Sequence, residues 1–165
     1  YSLHVVEAEG EKAKHYEYLQ KDNSDPVPEL LKSLKENIKD GGTVIVWNKS
    51  FEMLRNKEMG EMHPEYAPFM ESVNSRVYDL MDVFSKQYYI HPAFKGSASI
   101  KKVLPVLVPE LSHADLEISE GATASIKWFE MVSQSKDETL YKNLLAYCEM
   151  DTLAMVRVYE ALDKL

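Results

Sequence analysis

Tyr147 and Asp151 stand four residues apart in a stretch whose apolar residues recur at helical spacing. From residue 138 to the end no Pro or Gly interrupts it. At ~100° per residue, Leu140, Leu144, Tyr147, Cys148, Met155, Val158 and Leu162 fall on one face, and Asp151 lies inside that stripe. A carboxylate on a buried face loses hydration and must find hydrogen bonds, a cation or a metal. The Tyr147 hydroxyl, one turn earlier, reaches into the same space. That is a reason to look for a site there, although a buried Asp on a late helix more often caps a neighbouring turn and the Tyr beside it packs.

Two further stretches carry chemistry. Asn48-Lys49-Ser50-Phe51-Glu52 follows the apolar run 43–47, and the carboxyl edge of a buried strand is where open α/β sheets bind ligands. Ser50 is the expected cap of the next helix. Glu52 then lies in its first turn, where the helix dipole favours negative charge whether or not a site is present. Phe94-Lys95-Gly96-Ser97-Ala98-Ser99-Ile100-Lys101-Lys102 sets hydroxyls and lysines around a helix start, a phosphate grip or simply a capped, solvated turn. His63, His91 and His113 show no metal-ligand spacing, and His4 and His15 sit in strands; all five read as packing, loop or surface residues. There is no Gly-rich nucleotide loop, no Gly-x-Ser-x-Gly elbow and no Cys-His pair.

The elements that must position these groups are set by periodicity and punctuation. Residues 1–6 and 15–19 read as strands joined by a hairpin turn around Gly10. Asn23-Ser24-Asp25-Pro26 starts an amphipathic helix over 28–38, which Gly41-Gly42 ends. Residues 43–47 form a nearly unbroken apolar strand of the kind buried on both faces. Helices are predicted over 51–61, 64–73, 80–88, 100–107 and 122–133, with Ser97 or Ser99 capping the fourth. Residues 76–80 form a short strand in which Asp79 can cap the helix after it. This order predicts a three-layer α/β fold with a mixed sheet. A parallel neighbour on each side of strand 43–47 leaves one strand unaccounted for, expected just before Tyr1.

Length and composition describe one domain over residues 1–165, with nothing of low complexity. The chain opens on Tyr1 in a strand-like run, as expected of a piece of a longer protein. Cys148 is the sole cysteine, which excludes an internal disulfide or a cysteine metal cluster and points to a reducing, cytoplasmic compartment. No apolar run is long enough for a membrane span. A net charge of −8 argues against a broad phosphate-binding surface but not against a local site where metal ions meet phosphate.

Taken together, strand-Asn48-x-x-Phe51-Glu52 and Tyr147-x-x-x-Asp151 resemble the second and third exonuclease motifs of the DEDD, or DnaQ-like, superfamily, with tyrosine marking its DEDDy branch. The segments Val77-Tyr78-Asp79-Leu80 and Gly96-Ser97-x-Ser99-Ile100-Lys101 also resemble a bacterial family known as a domain of unknown function and placed among ribonuclease H-like exonucleases. The similarity runs over nearly the whole chain, and Tyr147-Cys148-Glu149-x-Asp151-Thr152-Leu153-Ala154-Met155 is its most specific part. The resemblance implies a ribonuclease H-like fold and hydrolysis of DNA or RNA from a single-stranded 3′ end, with two Mg²⁺ or Mn²⁺ ions as cofactors. Asp151 and Glu52 would be metal ligands, Tyr147 would orient the attacking water, and Asn48, Ser97 and Lys101 would hold the nucleic-acid backbone. The implied partners are nucleic acid and further domains of the parent chain. Two positions depart from the pattern. No Asp-x-Glu occurs on an opening strand, which is expected upstream of this segment, and Glu52 replaces the usual Asp. Without the first motif the piece would be a poor nuclease, and an inactive nuclease-fold module that binds nucleic acid or a protein is the alternative.

Overall fold

The computed structural model describes residues 1–111, 117, 118, 120–134 and 137–164. In chain order the elements are β1 (Ser2–Val5), β2 (Lys14–Glu17), α1 (Val27–Asn37), β3 (Val44–Val46), α2 (Lys49–Met62), α3 (Ala67–Ser75), β4 (Val77–Asp79), α4 (Asp82–Ser85), α5 (Ile100–Leu107), α6 (Gly121–Gln134) and α7 (Glu138–Leu162). The protein is α/β: an antiparallel pair β1–β2 and a parallel pair β3–β4 accompany seven helices among the described residues. No described helix is long and apolar enough to cross a membrane. The chain divides into two compact units, residues 1–37 with 112–156, and residues 38–111 with 157–165.

In the first unit β1 and β2 pair so that Leu3 faces Tyr16 and His4 faces His15. The bond from Tyr18 N to Tyr1 O (2.9 Å) extends the ladder beyond the strands, and Gly10, at φ 80°, takes the left-handed conformation that the connecting turn requires. Within the Asn23-Ser24-Asp25-Pro26 start, Asp25 Oδ1 accepts from Val27 N at 3.0 Å at the head of α1. The Tyr1 hydroxyl, 2.8 Å from Ser33 Oγ and accepting from Asn37 Nδ2 at 3.1 Å, fastens α1 to β1. Trp128 Nε1 donates to Gln20 O at 3.1 Å and anchors α6. Ile118, Met131, Leu144 and Tyr147 form the buried cluster between α6 and α7.

In the second unit the hydrogen bonds from Val44 N to Arg76 O and from Leu80 N to Val46 O continue the β3–β4 ladder at both ends. The Arg76 guanidinium donates to the carbonyls of Lys39, Gly41 and Gly42, which fixes the turn entering β3. Helices α2 and α3 pack closely because Gly60 has no side chain: a Cβ there would lie 3.2 Å from Ala67 Cα. Phe84, Tyr89 and Phe94 stack or meet edge to face beneath Trp47, with Trp47 and Phe84 centroids 5.5 Å apart. Val103 and Leu104 of α5 are fully buried.

Several elements differ from the sequence expectation. Strand 43–47 contracts to three half-buried residues, and among the described residues it pairs on one side only. The helix expected over 80–88 is a single turn. Gln87 at φ 60° breaks it, because burial of Phe84 among aromatic rings, not helical periodicity, decides that segment. Ser50 is not the cap of α2: Asn48 is, and Ser50 lies inside the first turn.

Candidate active site

Tyr147 and Asp151 belong to the first unit. The structure brings them together as their spacing requires: the Tyr147 hydroxyl hydrogen-bonds the Asp151 carboxylate one turn along α7. Tyr147 is buried and Asp151 half-buried. Burial first, then the charge of Asp151 and the bond to it, hold the Tyr147 hydroxyl well above the ordinary phenol range. It is therefore a neutral donor at physiological pH. Gly121, at the start of α6, lies beside this hydroxyl: a Cβ there would make an ordinary van der Waals contact with its oxygen, at 3.5 Å. Cys148 is a free thiol whose proton is held more tightly mainly because the group is buried.

Asn48, Glu52, Ser97 and Lys101 belong to the second unit. The chain leaves β3 through Asn48 in the left-handed conformation (φ 76°), which asparagine tolerates better than most residues. Its side-chain oxygen accepts from Phe51 N at 3.4 Å. The turn is held from below by Asp79 at the end of β4. One of its oxygens accepts from Asn48 N (3.1 Å) and Met81 N (3.1 Å), and the other from Lys49 N at 2.7 Å. This brace is not legible as such in the sequence, which offers Asp79 only as a local cap.

Glu52 lies in the first turn of α2, half-buried, and no described side chain hydrogen-bonds it. Burial pushes its carboxyl above the usual carboxylate range. A raised pKa means the folded chain holds this proton more tightly than the unfolded one. The resulting destabilisation is absent in acid, grows as the pH rises through the ordinary carboxylate value, and is complete above the folded one. Glu52→Gln is therefore expected to raise the melting temperature at pH 7 by a few degrees, a gain that shrinks as the pH is lowered through the carboxylate range, in thermal melts without divalent ions.

Trp47 Nε1 donates to Ala98 O at 3.1 Å, which sets the residue before Asn48 against the residue after Ser97. Lys95 and Gly96, both at positive φ, turn the chain into α5. Ser99 occupies the N-cap position without a capping bond, and Ser97 Oγ accepts from Ser99 N at 3.2 Å. Lys101 is exposed and makes no ion pair among the described residues. The histidines read as packing residues include a pair that the β1–β2 register places face to face, His4 and His15, with Glu149 of α7 beside them. Opposite positions on the two predicted strands are the available signal. His113 lies outside the described residues.

The model of a family described as "Domain of unknown function (DUF2779)" matches residues 1–99. Among curated relatives, uncharacterized protein UU173 of Ureaplasma parvum is 32% identical over 83% of this chain and 23% of its own length. Uncharacterized protein MG366 of Mycoplasma genitalium is 27% identical over 78% of this chain and 22% of its own. The chain thus spans about a quarter of the length of the curated relatives it matches. No solved structure matches it.

Proposed function

The chain belongs to the DUF2779 family, and from that premise we propose that it supplies most of the catalytic domain of a metal-dependent 3′–5′ exonuclease of the DEDDy type. Its fold in this reading is ribonuclease H-like, and its substrate is a single-stranded 3′ end of DNA or RNA. The observation that carries the reading is the half-buried Asp151 bonded by the Tyr147 hydroxyl.

The donor set fits hard divalent cations. Asp151 and Glu52 offer carboxylate oxygens of the kind that Mg²⁺ and Mn²⁺ prefer. Glu52 is also a half-buried acid whose charge no described side chain offsets. In a complete domain of this type, bound ions would supply an activated water and charge stabilisation at the leaving oxygen. Tyr147, held protonated, donates its one proton to Asp151, so its hydroxyl oxygen can orient the water only by accepting a hydrogen bond from it and does not take its proton. Ser97 and Lys101, at the start of α5, and the Asn48 turn hold the phosphate backbone. The two acids of the first motif come, in this reading, from a strand outside the present sequence, laid beside β3 on the side that has no partner among the described residues.

That no Asp-x-Glu lies on the opening strand favours a second reading, a nuclease-fold module that binds nucleic acid or a protein without cleaving. The experiment that separates them incubates the full-length protein with Mn²⁺ and 3′-labelled single-stranded DNA and RNA. Release of labelled nucleotide that stops on chelation is expected. A folded protein carrying all four acids that releases none overturns the exonuclease, and metal-independent oligonucleotide binding unaffected by Asp151→Asn establishes the module.

A further inference from the structure

We propose that His4, His15 and Glu149 form a binding site for one transition-metal ion of the zinc class, with a coordination position left open to water. One donor atom from each of the three residues lies within 4.8 Å of the others. All three belong to the first unit, and the exonuclease reading assigns none of them a role in catalysis or metal binding. The two imidazoles come from directly opposed positions of β1 and β2 and stack with centroids 4.6 Å apart and planes 25° from parallel. Strand pairing therefore fixes their separation before any ion arrives.

The surrounding hydroxyls orient both rings. Ser2 Oγ lies 2.9 Å from His15 Nε2, and Thr152 Oγ1 lies 2.9 Å from His4 Nδ1. The two hydroxyls are 2.6 Å apart and form one chain that occupies a single nitrogen of each ring. His4 Nε2 is left without a hydrogen bond among the described residues. His15 Nδ1 faces Glu149 Oε1 at 3.7 Å, too far for a hydrogen bond. Holding one ring nitrogen by a polar group and presenting the other is the usual arrangement around a metal-bound histidine.

Bonds of about 2.0–2.2 Å to nitrogen and oxygen put the donors of a tetrahedral site roughly 3.4 Å apart. The His15–Glu149 separation is close to that already, and the Glu149 side chain, 47% exposed, is free to close the remainder. Two imidazoles and one carboxylate are the ligand set of zinc sites that keep a fourth position open, and imidazole disfavours Mg²⁺ and Ca²⁺.

The test titrates Zn²⁺ into the metal-stripped protein by calorimetry, repeats the titration in excess Mg²⁺, and records the visible spectrum with Co²⁺. Expected are one saturable Zn²⁺ per chain undiminished by Mg²⁺, Co²⁺ absorption of four- or five-coordinate strength, and at least about a tenfold loss of affinity in His15→Gln and in Glu149→Gln. Should His15→Gln fail to fold by circular dichroism, Glu149→Gln, altered at an exposed carboxylate, carries the test. Absence of saturable binding, displacement by Mg²⁺, or wild-type affinity in every folded variant overturns the site.

Discussion

Asp151→Asn is expected to lower Mn²⁺-dependent release of 3′-terminal nucleotides by the full-length protein on the order of 10³-fold, with the fold intact. The substitution keeps the shape of the side chain and an oxygen for the Tyr147 hydroxyl, and removes only the charge. If that charge helps hold divalent cations, several kcal/mol of transition-state stabilisation disappear with it, and every 1.4 kcal/mol is a factor of ten in rate. Stability should not suffer, because a half-buried carboxylate gives way to a neutral amide. Tyr147→Phe provides the contrast. Its hydroxyl is a neutral donor, so removing it disturbs the orientation of a water and not the charge of the site, and the loss should be about 10–100-fold. The two are told apart by titrating Mn²⁺. Asp151→Asn should require far more metal for whatever activity remains, whereas Tyr147→Phe should lower the maximal rate at an unchanged metal requirement. A loss below tenfold in Asp151→Asn, measured on protein shown to be folded, removes Asp151 from the set of ligands.

What makes α7 legible is that its information is local. Twenty-five residues without a breaker repeat their apolar pattern often enough to place Asp151 on the inner face and Tyr147 one turn before it. The helix then delivers the contact by its own geometry, with no help from the rest of the chain. The region around β3 is the opposite case. Three-residue strands carry almost no periodicity, and their parallel pairing joins residues more than thirty positions apart. The cap of α2 escapes a local reading for the same reason: Asn48 and Ser50 are equally good capping residues by type, but Asp79 draws the amides of Asn48 and Lys49 toward β4 and so starts the helix two residues earlier. The meeting of His4, His15 and Glu149 depends on strand register and on a helix more than 130 residues away. Single-residue spacing cannot announce such a cluster, although a histidine at opposed positions of a predicted hairpin is a signal that can raise it.

The dependence of the Asn48 turn on Asp79 has a consequence for stability larger than any surface ion pair in this chain. A single carboxylate accepts three backbone N–H groups, from Asn48, Lys49 and Met81, at 2.7–3.1 Å. Hydrogen bonds to a charged acceptor contribute about 1.5–3 kcal/mol each when buried. One of these is exposed and two are only partly buried, so water recovers a share, and Asp79→Ala is expected to cost about 2–4 kcal/mol in urea unfolding, or ~5–10 °C in the melting temperature. Asp79→Asn keeps one acceptor but turns an NH₂ group toward an amide that is itself a donor, so it should recover less than half of the loss. The same substitutions bear on the chemistry at a distance. Glu52 lies four residues beyond Asn48 in the first turn of α2, and that turn begins where Asp79 holds it. If the half-buried acid is a metal ligand, loosening its support should raise the Mn²⁺ requirement of the full-length protein even at temperatures where Asp79→Ala remains folded. A variant that loses the stability but binds metal with wild-type affinity would mean that Glu52 is positioned by α2 itself and that Asp79 serves only the fold.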